Sequence, residues 1–408
     1  MLLRDSPYPM VSIETAHRLI QAAVQPLSTE EIASLTADRR VLAVDTFAPE
    51  SIPDVPKSAM DGYALRSADG SAPRRVLAEI TAGDDQVVEV RAGTAVRIMT
   101  GAPLPPGADA MIQVELTEER DGILSIAHAV NSGNNVHTVG QDIALGALVL
   151  PAGTILGPAE IGLLATLGLT RVAVYRRPRV AILATGDEVV EPDAAVRAGM
   201  VRDSNRYALL AAVRAAGGEP ISLGIARDDE AVQRAALVRG LSKADVLITS
   251  GGVSMGSRDL IKPLIAELGH VHFGRVAFKP GKPTLFATAQ DRLVFGLPGY
   301  PVSSLVSFEV FVRPVLRMLQ GDPQPYRPVV RVALTNSIRP SLDRPEYQRA
   351  TVRFDQDRLV ATTTGGQGSS RLLSLRGANA LLLVPPGEQV YAAGSVLEAL
   401  LIGPLAYS

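Results

Sequence analysis

The feature that most restricts how this chain can fold is an alternation of apolar strand-like runs with helix-like segments over residues 176–325. The runs RVAILAT, ISLGIA, DVLITS and LVFGL are interleaved with helix candidates at Asn205–Ala216, Asp229–Gly240, Asp259–Leu268 and Val302–Leu319. Short strands alternating with helices build an open, mostly parallel sheet covered on both faces. Ligands on such sheets bind outside the carboxyl ends of the strands. Three runs end in unusual loops: Thr185-Gly186-Asp187-Glu188, the stretch from Ser250-Gly251-Gly252-Val253-Ser254 to Asp259, and Pro298-Gly299-Tyr300-Pro301-Val302-Ser303. Parallel pairing carries all three to one sheet edge, whatever their separation in sequence.

The flanking text differs. Residues 12–25 space Ile13, Ala16, Ile20 and Ala23 on one helix face, with Ser12 as N-cap. Ser28-x-x-Glu31 reads as a capping box opening a second helix before Ile32 and Leu35. Residues 47–140 are rich in Gly, Pro and Asp and read as a β-rich domain. It is inserted into a helical linker domain made of residues 1–46 and 141–175. After Pro323 and Pro325 the text is β-like again, so residues 326–408 read as a terminal β domain with barrel-like character. The α/β sheet domain at 176–325 is the informative part.

Composition removes several chemistries. There are no cysteines, which excludes disulfides, thiolate nucleophiles, zinc fingers and iron–sulfur clusters. Lys+Arg 40 against Asp+Glu 42 leaves a net charge of -2, too balanced for a bulk nucleic-acid binder. His270 and His272 alternate as two residues on one strand face do, and read as ordinary strand residues rather than a metal pair. The first residues lack the apolar core of a signal peptide, and the most apolar stretch, 147–169, is broken by Pro151, Pro158 and Glu160. We therefore expect no membrane association and a cytoplasmic location. No GxGxxG opens the first βα unit and no GxxxxGK[ST] occurs, which disfavours a nicotinamide dehydrogenase and a P-loop NTPase.

The loops have a physical use. Gly-rich turns ahead of helices expose backbone N–H groups to anions. Asp187, Glu188, Asp228, Asp229 and Asp259 offer oxygen ligands to a hard cation. An anion loop beside acids is unfavourable unless a divalent ion such as Mg2+ reconciles them, so the expected ligand is a phosphate with its metal. Phe278-Lys279-Pro280-Gly281-Lys282-Pro283 adds two of only five lysines in the chain, three residues apart around a glycine. Lysine suits a compact polyanion as a point charge. In the β-rich region, Ser58-Ala59-Met60-Asp61-Gly62-Tyr63 and Met99-Thr100-Gly101-Ala102-Pro103 stand out, but physics alone gives them only the reading of turns.

In order, SAMDGYA, IMTGAPLPPGAD, ILATGDEV, RDSN, SGGVSMGSRD, FKPGKP and GLPGYPVSS resemble the molybdopterin molybdenumtransferase family, which includes the gephyrin E domain. The resemblance implies an elongated homodimer of four-domain chains, one domain resembling molybdopterin adenylyltransferase. It implies insertion of molybdate into adenylylated molybdopterin, with Mg2+-dependent release of AMP. By motif, Lys279, Lys282, Ser303, Arg349 and Ser369 resemble the molybdate-binding set. Ser250, Gly251, Gly252, Ser254, Pro298 and Pro301 resemble the cofactor-binding loops. Asp259, Asp61, Thr100, Glu188 and Asp142 resemble catalytic positions, with Asp259, Asp228 and Glu188 as the metal set. Asp61 and Thr100 would complete the partner subunit's site. Partners implied are the adenylyltransferase and the molybdoenzymes or their chaperones. The sequence departs from the family at Tyr300, where Asn is usual, at Gln141, where Glu is usual, at His137, where Arg is common, and at Ser257-Arg258. Two alternatives remain at this stage: the adenylyltransferase itself, and a non-enzymatic gephyrin-like scaffold.

Overall fold

The computed structural model describes residues 8–84, 86–253 and 260–405. They form two compact units. One comprises residues 1–32, 37–43 and 173–408, and the other 33–36 and 44–172.

The first unit is built on the expected sheet. Its six strands run in the order Glu219–Ala226, Arg179–Thr185, Val246–Ser250, Arg292–Leu297, Leu285–Ala289 and His270–Phe273. The first four are parallel and the last two antiparallel. The central strands are apolar throughout because both faces are covered. Val180, Ile182, Val246, Ile248 and Phe295 pack with Leu209, Val213, Val302 and Val306 on one side. Ala181, Leu183, Leu247 and Val294 pack with Leu237, Leu241, Ile261 and Leu264 on the other. The helix Ile13–Ala23 joins the first layer through Ala16 and Ile20, with the Ser12 hydroxyl accepting from the Thr15 N–H at 3.0 Å.

The last expected helix of this unit is three contiguous segments: Pro301–Ser307, a π-helical turn at Phe308–Val312, and Arg313–Leu319. Pro314 explains the change of pitch. It lacks an N–H and its ring would crowd the carbonyl four residues back, so the turn ahead of it widens instead of breaking. A closed barrel of Val329–Leu334, Arg358–Thr363, Glu346–Asp355, Ala380–Val384 and Val396–Leu401 follows, filled by Val332, Leu334, Val352, Leu382 and Leu397.

The second unit holds a six-stranded sheet ordered Ala110–Gln113, Gly62–Leu65, Thr94–Ile98, Arg74–Ile80, Ile123–Ile126 and Thr117–Arg120. Gly62 is required there by a close approach, because a Cβ would stand 1.9 Å from the Ile112 carbonyl oxygen.

One expectation fails. The capping box at Ser28 opens no helix: Thr29–Ala33 is a strand, followed by a single 3-10 turn at Ser34–Thr36. Only Ile32 in that strand is partly covered, and Leu35 is 83% exposed. A helix that short and without an apolar face has no tertiary packing to offset its nucleation cost. The histidine pair behaves as expected of strand residues: the rings make an edge contact with centroids 4.7 Å apart, and His272 Nε2 lies 3.1 Å from the Thr288 hydroxyl.

Candidate functional site

Four strand ends make one edge. Ser250 sits opposite Ala184 on one side and Leu297 on the other, and Thr185 sits opposite Ala226. The loops are stitched where they leave the sheet: the Gly186 N–H donates to the Ala226 carbonyl at 3.2 Å and the Gly251 N–H to the Leu297 carbonyl at 3.0 Å. Gly251 and Gly252 have φ of 97° and 65°, in the left-handed region that favours glycine. A Cβ on Gly251 would stand 2.8 Å from the Thr185 carbonyl oxygen, and one on Gly252 2.6 Å from Ile261 Cγ1.

Sequence reasoning assigned no role to Asn205, yet it fastens this edge. Its Nδ2 donates to the Ser250 hydroxyl at 2.8 Å and to the Gly299 carbonyl at 2.7 Å. It opens the helix Asn205–Ala215, so a rigid element sets the spacing of two loops. Its place in the RDSN motif was the available signal.

The acidic residues lie on neighbouring strand ends. The Asp228 N–H donates to Asp187 Oδ1 at 3.1 Å, and Asp228 Oδ1 accepts from Gln233 Nε2 at 3.1 Å. Glu188 follows Gly186, and its carboxylate stands 2.7 Å from where a Gly186 Cβ would be. Ser254 and Asp259 lie outside the described residues. Among the described residues no three His, Asp or Glu side chains group closely enough to hold a metal ion. Asp228 and Glu188 alone therefore do not make a metal site.

The lysine loop is clamped on two sides. The Lys279 N–H donates to the Pro345 carbonyl at 3.0 Å, and the Tyr347 N–H donates to the Lys279 carbonyl at 2.7 Å. On the other side, the Thr284 hydroxyl donates to the Gly281 carbonyl at 2.7 Å and shares a 2.9 Å hydrogen bond with the Ser307 hydroxyl. Ser303 is four residues before Ser307 and so shares its helix face. Ser303 is buried, as is Ser307. The Val302 N–H donates to the Ser369 carbonyl at 3.0 Å, which ties the start of that helix to the GQGSS loop. Arg349 reaches the same loop, its NH2 group donating to the Gly368 carbonyl at 3.3 Å.

Backbone contacts thus bring the Lys279 loop against the barrel strand that carries Arg349, and the start of the Ser303 helix against Ser369, at one junction of loop, helix and barrel strand; Lys282 is placed only by its own loop, its carbonyl accepting from the Val276 N–H at 2.9 Å. The helix Pro301–Ser307 begins at the sheet-edge loop. Ser303 lies in its first turn and the Ser369 carbonyl meets it at the Val302 N–H, so these two residues stand beside the sheet-edge loop.

Arg349 is fully buried, and its Nε donates to the Ser374 hydroxyl at 3.0 Å. Its NH1 has no hydrogen-bond partner, and among the described residues no carboxylate stands within ion-pair distance of it. Burial pushes its pKa down to about 10, partly opposed by Glu346. It is still charged at neutral pH. A buried, unpaired cation is unfavourable on its own, so this position is suited to an anion. Glu346, which sequence reasoning also passed over, pairs with Lys279 at 3.3 Å.

In the second unit, Asp61 Oδ1 accepts from both the N–H and the hydroxyl of Thr100, each at 2.7 Å. The hydroxyl first, then the N–H, holds the Asp61 carboxyl below the ordinary carboxylate range. Any stabilisation from this pair is present above the ordinary carboxylate pKa and disappears as pH falls through the lowered one. Thr100→Val removes the hydroxyl donor. The Asp61 titration followed by NMR should then move up towards the ordinary range, and no movement would discount the hydroxyl. Asp142 lies in an exposed loop, its N–H donating to the Ile52 carbonyl at 3.0 Å. Two departures from the family pattern meet beside it: Gln141 Oε1 lies 3.3 Å from His137 Nδ1 and accepts from the Thr138 N–H. Tyr300 is 62% exposed, and its carbonyl accepts from the Ser304 N–H.

A cavity of about 710 Å3 opens at the opposite edge of the sheet, lined by Leu19, Asp245, His272, Arg292 and Leu319 among others. Of its two acids, Asp245 is already committed, pairing with Arg176 at 2.7 Å and lying 3.5 Å from Arg292. We place no chemistry there.

Three family descriptions match the chain: MoeA N-terminal region (domain I and II) at residues 11–168, probable molybdopterin binding domain at 181–318, and MoeA C-terminal region (domain IV) at 331–402. The chain is similar to molybdopterin molybdenumtransferase 2 of Mycobacterium tuberculosis, at 36% identity over 95% of this chain and 99% of that one. It is also 36% identical to gephyrin of Dictyostelium discoideum over 98% of its length, but spans only 64% of that protein. A solved structure, molybdopterin biosynthesis moeA protein from Pyrococcus horikoshii OT3, matches with a TM-score of 0.81 at 28% identity, covering 96% of this chain and all (100%) of that one.

Proposed function

Because the chain belongs to the molybdopterin molybdenumtransferase family, and so is an enzyme of molybdenum cofactor biosynthesis that inserts molybdate into molybdopterin, we propose that the Lys279–Arg349 junction is where it holds molybdate. The observation that carries this reading is Arg349, a buried guanidinium with no carboxylate partner and an unpartnered NH1. A tetrahedral dianion supplies the missing counter-charge, and Lys279, Lys282, Ser303 and Ser369 surround it with further donors.

The adenylylated cofactor lies along the neighbouring sheet edge, with its phosphates towards the Ser250-Gly251-Gly252 turn and its pterin side towards Pro298 and Pro301. The first turn of the helix from Pro301 to Ser307 joins the sheet-edge loop to Ser303, and so sets the phosphoanhydride beside the oxyanion. The protein's contributions are positioning and compensation of charge, and no protein nucleophile is needed. Mg2+ dependence of AMP release belongs to this reading, with Asp228, Glu188 and Asp259 as the carboxylates that the family resemblance assigns to it; Asp259 lies outside the described residues. No step is assigned to the ion.

We also infer a cytoplasmic homodimer in which Asp61 and Thr100 serve the partner's site. The enzyme then stands between the adenylyltransferase that supplies its substrate and the acceptor enzymes that take the cofactor. Mixing Asp61→Asn and Lys279→Ala chains should restore part of the lost activity if the site is shared between subunits, and none if it is not.

The direct test incubates the protein with adenylylated molybdopterin, Mg2+ and molybdate, and follows AMP and incorporated metal together. ATP consumption with metal-free molybdopterin would instead indicate the adenylyltransferase. Lys279→Ala should weaken molybdate binding about tenfold, the worth of one partly exposed charge-assisted contact, and leave nucleotide binding unchanged. Equal loss of both would place phosphate, not molybdate, on the lysines.

A further inference from the structure

We propose that Glu346 is a positioning residue that acts through Lys279: its carboxylate serves as an internal counter-anion, which the incoming oxyanion displaces from the ammonium. The inference rests on the oxyanion role of Lys279 argued above. Lys279 Nζ lies 3.3 Å from Glu346 Oε1 and donates to the Ser341 hydroxyl at 3.1 Å. Ser341 in turn donates to Glu346 Oε2 at 3.1 Å, and Gln348 Nε2 donates to the same oxygen at 3.2 Å.

The two partners differ in freedom. The Glu346 side chain is 4% exposed and held by two neutral donors besides the lysine, whereas Lys279 is 45% exposed. The acid is therefore fixed, and the ammonium can swing on its flexible four-carbon stem. The contact is built into the backbone as well, because Lys279 and Glu346 form a parallel bridge between loop and barrel strand. Three residues further along that strand, Arg349 has no such acid. One cation of the junction is committed to a carboxylate before any ligand arrives, and the other is not.

Two consequences follow from Coulomb's law. A dianion that recruits Lys279 must replace Glu346 as its partner and remain within the repulsion of that buried carboxylate. Glu346 therefore lowers affinity for the oxyanion below what the cations alone would give. It also returns Lys279 to a defined place once the metal has left with the product.

The test measures molybdate dissociation constants by calorimetry on the full chain for wild type, Lys279→Ala, Glu346→Gln and the double variant. Glutamine keeps the shape and one acceptor oxygen but removes the charge. Glu346→Gln should bind molybdate about fivefold tighter, and its affinity should fall more steeply with salt. In the double variant the gain should fall well below fivefold, to what relief of the direct repulsion alone supplies. A merely structural role would weaken binding whether or not Lys279 is present.

If Glu346→Gln fails to fold, Ser341→Ala loosens the same contact without touching the charges and should tighten binding about twofold. Binding by a folded Glu346→Gln no tighter than wild type overturns the proposal, as does an undiminished gain without Lys279. Should Lys279→Ala bind like wild type, the oxyanion reading of the junction itself falls, and this inference with it. Weakened Lys279→Ala together with unchanged Glu346→Gln removes the counter-anion alone.

Discussion

Arg349→Met is expected to abolish molybdate insertion while leaving the protein as stable as before. The guanidinium is buried, lacks a carboxylate, and has one N–H edge unpartnered. Removing a buried charge-assisted contact to an anion typically costs a few kcal/mol, which is a loss of about a hundredfold or more in molybdate affinity. The stability term runs the other way, because replacing a buried ion by an apolar side chain of similar volume is often neutral or stabilising. Three hydrogen bonds are lost, but those to Gly366 and Gly368 are long, at 3.5 and 3.3 Å, and both glycines are exposed to water. Thermal unfolding and molybdate calorimetry on one preparation decide the matter. A large fall in melting temperature with unchanged molybdate affinity would make Arg349 a structural residue and leave the junction without its central cation.

Gly251→Ala should be the most damaging small substitution at the sheet edge. Its φ of 97° is one that side-chain-bearing residues rarely adopt, and the added Cβ would stand 2.8 Å from the Thr185 carbonyl oxygen. Forcing such a conformation costs about 1–3 kcal/mol, and the loop would move to escape the clash. A displacement near 1 Å at a positioning loop can cost on the order of a hundredfold in rate. Gly299→Ala supplies the contrast, since its Cβ would make an ordinary contact of 3.7 Å with Gly251 Cα. There the stability change should stay within about 0.5 kcal/mol. Chemical denaturation and the rate of AMP release give both readings, and equal effects at the two glycines would remove the steric argument.

The central sheet was legible because its strands are buried on both faces. RVAILAT is apolar from Val180 to Ala184 for that reason, and it coincides with the strand Arg179–Thr185. The glycines and prolines that end the runs were legible as loops, and parallel pairing makes their meeting at one edge a necessity of topology. The terminal barrel was readable from β-like runs such as VVRVALTNSI and NALLLVP, which hold the strands Val329–Leu334 and Ala380–Val384. Residues 28–35 were misread because a capping box describes only the start of a helix. Whether a helix continues depends on a packed face, and Leu35 has none. The helix after Pro301 ran through Pro314 because a π turn absorbed the proline, a compensation no residue type announces.

By itself, the sequence determined which side chains are available: two lysines on a constrained loop, carboxylates at strand ends, and motifs that identify the family. Only the tertiary structure decided which charges are already satisfied. Lys279 faces a buried acid 67 residues away in the chain, while among the described residues no carboxylate stands within ion-pair distance of Arg349, on the same barrel strand as that acid. Composition fixes the number of charges of each sign, but the energy of a charge depends on its distance from a partner and on its access to water. Both are set when barrel, loop and helix close on one another.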